Sequence, residues 1–185
     1  IEVARLMHDR AGGRCDRGQL AALLGYNGVK NGGFLTRMSA AKMFGLLEET
    51  GSGITLTERA KKILHPVRPA EAEHAKLEAF MDVELFAKVF NDFHDHTLPA
   101  SDGLTNLFLT QYKIVPKQVS LALRNLMESA ESAGLFKVAG NRSKLIPPII
   151  RDDGRVAPQP APAAAEAPIG HRDEEPVPDV RGRRN

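Results

Sequence analysis

The chain has no tryptophan, a single cysteine, few aromatics and no long apolar run, and each shortage removes a class of protein. Cys15 alone excludes an internal disulfide framework and a cysteine-rich zinc site, and it fits a reducing, cytoplasmic setting. No stretch approaches the roughly 18 apolar residues of a membrane span. No signal peptide is visible, so no membrane partner is expected. Aromatics make up 5% and hydrophobic residues 42%, so the core must be built from Leu, Val, Ile, Met and Ala. That supply favours helices over an aromatic-rich β-sandwich.

Catalytic signatures are equally scarce. Gly51-Ser52-Gly53 and Gly12-Gly13 lack the following lysine of a phosphate loop, and no serine nucleophile elbow occurs. No pair of carboxylates has a reason to carry separated pKa values. His94-Asp95-His96 places its imidazoles two apart, on different sides of a helix, whereas a helical zinc pair needs a spacing of four. Cys15 has no base beside it to make it a nucleophile, although Arg14 and Arg17 are near. The expectation is a non-enzymatic protein with no metal and no cofactor.

Composition breaks near residue 150. Residues 151–185 hold six of the twelve prolines and no Phe, Tyr, Leu or Met. Such a segment buries too little apolar surface to offset its ordering entropy and reads as a disordered Pro/Ala-rich tail ending in basic Arg181-Gly182-Arg183-Arg184. The net charge of +2 hides segregation along the body. Residues 1–68 carry 11 basic and 6 acidic residues, 69–102 carry 2 and 8, and 103–150 carry 6 and 2. Two basic segments flank an acidic one, and local charge is what a polyanion meets within a Debye length.

Helical spacing organises the first segment. Residues 2–9 read as a helix ended by Ala11-Gly12-Gly13. Asp16 is placed to cap a second, Gly18 to Leu24. After the turn at Gly25-Tyr26-Asn27-Gly28, a longer helix is predicted from about Lys30 to Leu47, with Phe34, Met38, Ala41 and Gly45 on one stripe. Leu46-Leu47-Glu48 and Ile54-Thr55-Leu56 read as strands around a turn at residues 49–53, and Thr57 caps a helix that stops at His65-Pro66.

The acidic segment predicts a helix over 69–80 and a second capped by Asp82, with Leu85, Phe86, Val89, Phe90 and Phe93 as its apolar stripe. Residues 101–149 then repeat the first order of elements. A helix starts at Ser101, Tyr112 to Pro116 form a turn, and a helix runs from Pro116 to about Ala133, where Gly134 ends it. Strands are predicted at 135–138 and 144–146, around a turn at 139–143. Laid together, Phe34, Met38, Ala41, Gly45 and Leu46 match Leu123, Met127, Ala130, Gly134 and Leu135, which points to an internal duplication.

The run Leu20-Ala21-Ala22-Leu23-Leu24-Gly25-Tyr26, the helix ending Phe44-Gly45-Leu46-Leu47 and the hairpin around Gly51-Ser52-Gly53 resemble the winged-helix family of helix-turn-helix domains. The resemblance implies a mostly α fold with short β-hairpins. It would comprise a first winged-helix-like module over 1–68, an acidic helical connector over 69–100, a second module over 101–150, and the tail. It further implies contact with double-stranded DNA through the third helix of each module and through the wing. Candidate contacts in the first half are Lys30, Asn31, Thr36 and Arg37, with Lys61 and Lys62 on the following helix. Those in the second are Lys117, Gln118, Arg124 and Asn125 on the helix and Lys137, Arg142 and Lys144 on the wing. These side chains carry the donors that phosphates and base edges require. The first wing, with Glu48 and Glu49, is expected to be a poor DNA contact.

The leading expectation is therefore a transcriptional regulator or chromosome-associated factor. The alternative is a protein-interaction adaptor of the same fold, suggested by the acidic first wing, Leu121, Met43 and the Phe-rich middle. A small-molecule sensor with a pocket around Phe86, Phe90 and Phe93 is a third.

Overall fold

The structure is a computed structural model that describes residues 1–94, 96–138 and 141–146. The expected tail, the end of the second module over 147–150, Asp95 of the His94–His96 run, and the Ala139-Gly140 turn lie outside the described residues. Within them the protein is mostly helical, with eight helices and a small three-stranded antiparallel sheet. None of these helices is long and apolar enough to cross a membrane.

The first half runs α1 (Glu2–Ala11), β1 (Arg14–Cys15), α2 (Arg17–Leu23), α3 (Gly32–Met43), β2 (Leu47–Thr50), β3 (Gly53–Leu56) and α4 (Glu58–Leu64). Local chemistry sets these boundaries. Asp16 accepts from the Gln19 N–H at 2.8 Å while Gln19 accepts from the Asp16 N–H at 3.0 Å, a reciprocal capping box at the start of α2. Thr57 accepts from the Ala60 N–H at 3.1 Å to start α4 and donates to the Gly45 carbonyl at 2.7 Å.

Three details differ from the sequence reading. α3 is shorter than Lys30–Leu47, because Asn31 caps it and Gly45 turns the chain away. The hairpin turn is only Gly51-Ser52, since Thr50 already pairs with Gly53, and so Glu49 lies in a strand. β1 is an additional strand that no sequence pattern predicts. It pairs with β3 through Arg14↔Thr55 and Cys15↔Ile54, giving the sheet order β1-β3-β2.

The second half runs α5 (Pro69–Met81), α6 (Glu84–Phe93), α7 (Ser101–Thr110), α8 (Pro116–Ser132), β4 (Phe136–Val138) and β5 (Asn141–Leu145). Pro116 opens α8, where its missing N–H costs nothing. Asp82 does not cap α6. The cap position is Val83, which has no capping side chain, and the Asp82 carboxylate instead accepts from Arg59 of α4. β5 begins at Asn141, so Arg142 and Ser143 are strand residues rather than turn residues.

The two halves share one set of backbone bonds. At the end of α3, Gly45 (φ 62°) donates to the Lys42 carbonyl at 2.9 Å and Leu46 donates to that of Ala41 at 2.9 Å. At the end of α8, Gly134 (φ 69°) donates to Glu131 at 3.0 Å and Leu135 to Ala130 at 2.9 Å. Both are Schellman turns, which need a left-handed residue and hence glycine. Each hairpin then closes onto the leucine: the Thr57 N–H reaches the Leu46 carbonyl at 3.2 Å, and the Ile146 N–H reaches that of Leu135 at 2.7 Å. Beside β5, Thr97 pairs antiparallel with Lys144 and the Leu98 N–H donates to Ser143 at 2.7 Å. That is the place β1 takes beside β3.

The core forms two apolar clusters. One joins α1 to α4 around Met7, Leu20, Phe34 and Ile54, and the other joins α5 to β5 around Phe80, Phe108, Leu126 and Leu135. Phe44 packs against both. Its ring lies 6.2 Å from that of Phe86, which in turn lies 5.2 Å from Phe80. Phe86 is buried and Phe90 half-buried, packed edge-on to Phe80 at 6.5 Å, so these rings serve as core.

Gly45→Ala should lower stability by about 1–2 kcal/mol through the left-handed penalty. A further loss is expected because the new methyl would meet the Arg59 guanidinium. Gly28→Ala, with open space around it, should leave the urea midpoint nearly unchanged. Equal midpoints for the two variants would refute the assignment.

Candidate nucleic-acid interface

The candidate residues divide into those whose polar atoms are already engaged and those left open. Most of the first half belongs to the former. The Asn31 carbonyl oxygen accepts from the N–H groups of Gly33 at 2.8 Å and Phe34 at 3.3 Å, so this side chain holds α3 together rather than reaching outward. Thr36 donates back to the Gly32 carbonyl at 2.9 Å. Arg37 lies 3.8 Å from Glu2, and Lys61 lies 2.6 Å from Glu58 on its own helix. Lys30 and Lys62 are exposed and make no ion pair among the described residues.

Sequence reasoning missed a charge cluster at the first hairpin. Glu49 accepts two hydrogen bonds from the Arg17 guanidinium, one of them at 2.8 Å, and one from Lys42 at 3.1 Å. These two cations hold its carboxyl down at about 2, Arg17 contributing most. The charge expected to repel a phosphate backbone is thus offset at Glu49, while Glu48 stays exposed. Arg17 and Glu49 are brought together by the sheet, from elements far apart in sequence.

The second half is more open. Lys117, Gln118, Arg124 and Asn125 are all exposed on α8. At 3.6 residues per turn, Lys117, Leu121, Arg124 and Asn125 follow one face of the helix. Neither Lys117 nor Arg124 makes an ion pair among the described residues. Lys113, which no sequence pattern distinguishes, adds an exposed cation just before α8 and adopts φ 56°, a left-handed value unusual for a residue with a side chain.

On the hairpin, Arg142 is bound to Glu131, so it is not a free cation. Lys144 is half-buried on β5 and has no ion pair among the described residues. Lys137 lies on β4, and its side chain is outside the described residues. Leu121 on α8 is 49% exposed and Met43 on α3 is 57% exposed.

Below the α8 face, Tyr112 donates to Asp92 at 2.7 Å and Gln111 to the same oxygen at 3.0 Å. These bonds tie the α7–α8 turn to α6. Burial and the Asp92 carboxylate together push the Tyr112 hydroxyl well above its ordinary pKa, so it stays a donor.

Comparison of the chain with family models, characterised proteins and solved structures finds no match.

Glu49 carries a pH prediction. Its carboxyl sits at about 2 when folded and near the ordinary ~4.3 when unfolded. Its contribution to stability is therefore complete above the unfolded value and drains as pH falls towards the folded one. The melting temperature of Glu49→Gln should fall below wild type at about pH 6, and the gap should narrow at about pH 3 and in high salt. A gap independent of pH would show that the Arg17–Glu49–Lys42 cluster adds nothing through charge.

Proposed function

We infer that the protein binds double-stranded DNA without catalysis, as a transcriptional regulator or chromosome-associated factor built on two winged-helix-like modules. The observation that carries this reading is the exposed α8 face. Lys117 and Arg124 stand there without carboxylate partners among the described residues, next to Gln118 and Asn125. Ammonium and guanidinium groups neutralise phosphates and release counterions, while amide and guanidinium forks match base edges. The shared Schellman turns and hairpin closures support reading the halves as equivalent modules. In that reading the second module begins at α6 rather than at Ser101, because Thr97–Leu98 lies beside β5 as β1 lies beside β3.

The modules differ in which of their cations are paired. Arg37 and Lys61 face carboxylates in the first, as do Arg17 and Lys42. The first also carries exposed cations without ion pairs among the described residues, Arg5, Arg10, Arg14, Lys30, Lys62 and Arg68, so the second is assigned the main contact because Lys117 and Arg124 share one open face of its long helix. The adaptor reading draws on a different observation, the exposure of Leu35, Met43 and Leu121 on the outer faces of α3 and α8.

Fluorescence anisotropy of the full chain with a labelled duplex should show binding that weakens steeply with salt. Lys117→Ala and Arg124→Ala should each weaken binding by about 3- to 10-fold and lower the salt slope by about one. Lys61→Ala, whose cation is already paired, should change little. Absence of binding at ~50 mM salt, where phosphate contacts are strong, would overturn DNA binding and leave the adaptor reading.

A further inference from the structure

Two core positions on the long helix are closed in the first half and partly open in the second, while the two beside them, Cys15 and Leu20 in one half and Leu98 and Leu104 in the other, are buried in both. Phe34 and Met38 of α3 are 0% and 4% exposed, packed with Cys15 of β1 and Leu20 of α2. Their counterparts by backbone bonding are Leu123 and Met127 of α8, with Leu98 beside β5 and Leu104 of α7. Leu123 and Met127 are only half-buried, and these four residues form the floor of an open groove of about 680 Å³. A leucine stands where the first half has a phenylalanine, so the ring that fills the first site is absent from the second.

The rim is cationic. Arg124 and Arg142 both border the groove, and none of its lining residues is acidic. Arg142 is held by Glu131, whereas Arg124 makes no ion pair among the described residues. An apolar floor beside an unpaired guanidinium suits a small amphipathic anion, its hydrocarbon part on the leucines and methionine and its carboxylate on Arg124.

The geometry points to this groove as a binding site for an aliphatic carboxylate, whose occupancy withdraws Arg124 from DNA. The site itself stands on the groove alone; its effect on DNA rests on the function proposed above. Because the carboxylate and a phosphate compete for one guanidinium, each must lower affinity for the other.

Titration calorimetry of the full chain with octanoate, and separately with 1-octanol, tests the site without DNA. Octanoate should saturate one site and bind about tenfold more tightly than the alcohol, the margin of a charge-assisted bond. Leu123→Phe, which supplies the ring present in the first half, should abolish octanoate binding. Arg124→Ala should remove the preference for octanoate over octanol, and this variant changes only an exposed side chain. No octanoate binding, or equal affinity for octanoate and octanol, overturns the site. Undiminished octanoate binding by a folded Leu123→Phe does the same. In anisotropy, octanoate should weaken duplex binding by wild type but not by Leu123→Phe. Loss of all duplex binding with octanoate binding intact would refute the DNA reading and leave the site standing.

Discussion

The glycine turn that ends each long helix sets the position of the hairpin behind it. A helix that stops in a left-handed glycine reverses direction within two residues and drops the next side chain into the core. Gly45 does this for Leu46 and Gly134 for Leu135, both leucines being closed to solvent. The backbone bonds from Leu46 to Ala41 and from Leu135 to Ala130 then fix where each hairpin starts. The returning strand closes on the same leucine, so helix, turn and hairpin form one unit of fixed geometry. At Gly45 the constraint extends further. Arg59 lies against it, donates to the Phe44 carbonyl at 3.2 Å and pairs with Asp82. Its Nε sits 3.6 Å from Glu78, an ion pair too long for a hydrogen bond. One helix end thus also joins α4 to the α5–α6 corner.

Charge is arranged around this frame rather than within it. No polar or charged residue is fully buried among the described residues, so the core is apolar and the ion pairs lie at or near the surface, with Arg59 among the most enclosed: its Nε is shut off from solvent and has no hydrogen-bond partner among those residues. Surface pairs contribute little individually to stability, and their larger effect is to decide which cations remain available. Arg17 and Lys42 converge on Glu49, Arg59 on Asp82, and Arg142 on Glu131. Lys117 and Arg124 make no such pair among the described residues: Glu131 takes Arg142, and Glu128, one turn beyond Arg124, does not come within ion-pair distance of it. A polyanion approaching α8 meets Lys117 and Arg124 on one exposed face. That clustering on one helix face supports the second module as the DNA contact in the proposed function, and a net charge of +2 gives no hint of it.

How much of the fold is legible in the sequence depends on the range of each interaction. Caps and stops are local: Asp16, Thr57, Pro116 and Gly134 each act within a few residues and stand where the spacing puts them, whereas Gly45, placed by the spacing on the stripe of α3, ends that helix instead. The apolar stripes are legible for the same reason, since Phe34, Met38 and Ala41 are all buried. Sequence and structure part where another group, distant or adjacent, claims a side chain. Asp82 has the chemistry of an N-cap, yet Arg59 engages it across the corner. Asn31 has the chemistry of a base reader, yet the open N–H groups at the start of α3 engage it first. β1 is two residues long and shows no alternation, and the Arg17–Glu49 contact exists only once β1 has paired with β3. The open faces of α8 can be read as positions on a helix, but which of their cations stay unpaired cannot.

Residues that share a backbone role in the two halves need not share a size, and the difference between Phe34 and Leu123 is a difference in how completely the same space is filled. In the first half the ring of Tyr26 lies edge-on to Phe34 at 6.2 Å, closing the site with two aromatics. In the second, the corresponding Tyr112 turns to Phe108 at 5.4 Å and to Asp92. The tyrosine that seals one groove thus braces the α6–α7 corner in the other. If the halves arose by duplication, this exchange is where they parted. One copy kept a closed core, and the other kept an open groove beneath an unpaired arginine. A single helix, α8, then presents both the face proposed for DNA and the wall of the groove, and any ligand in that groove acts on the face through Arg124 directly, without requiring the frame to move.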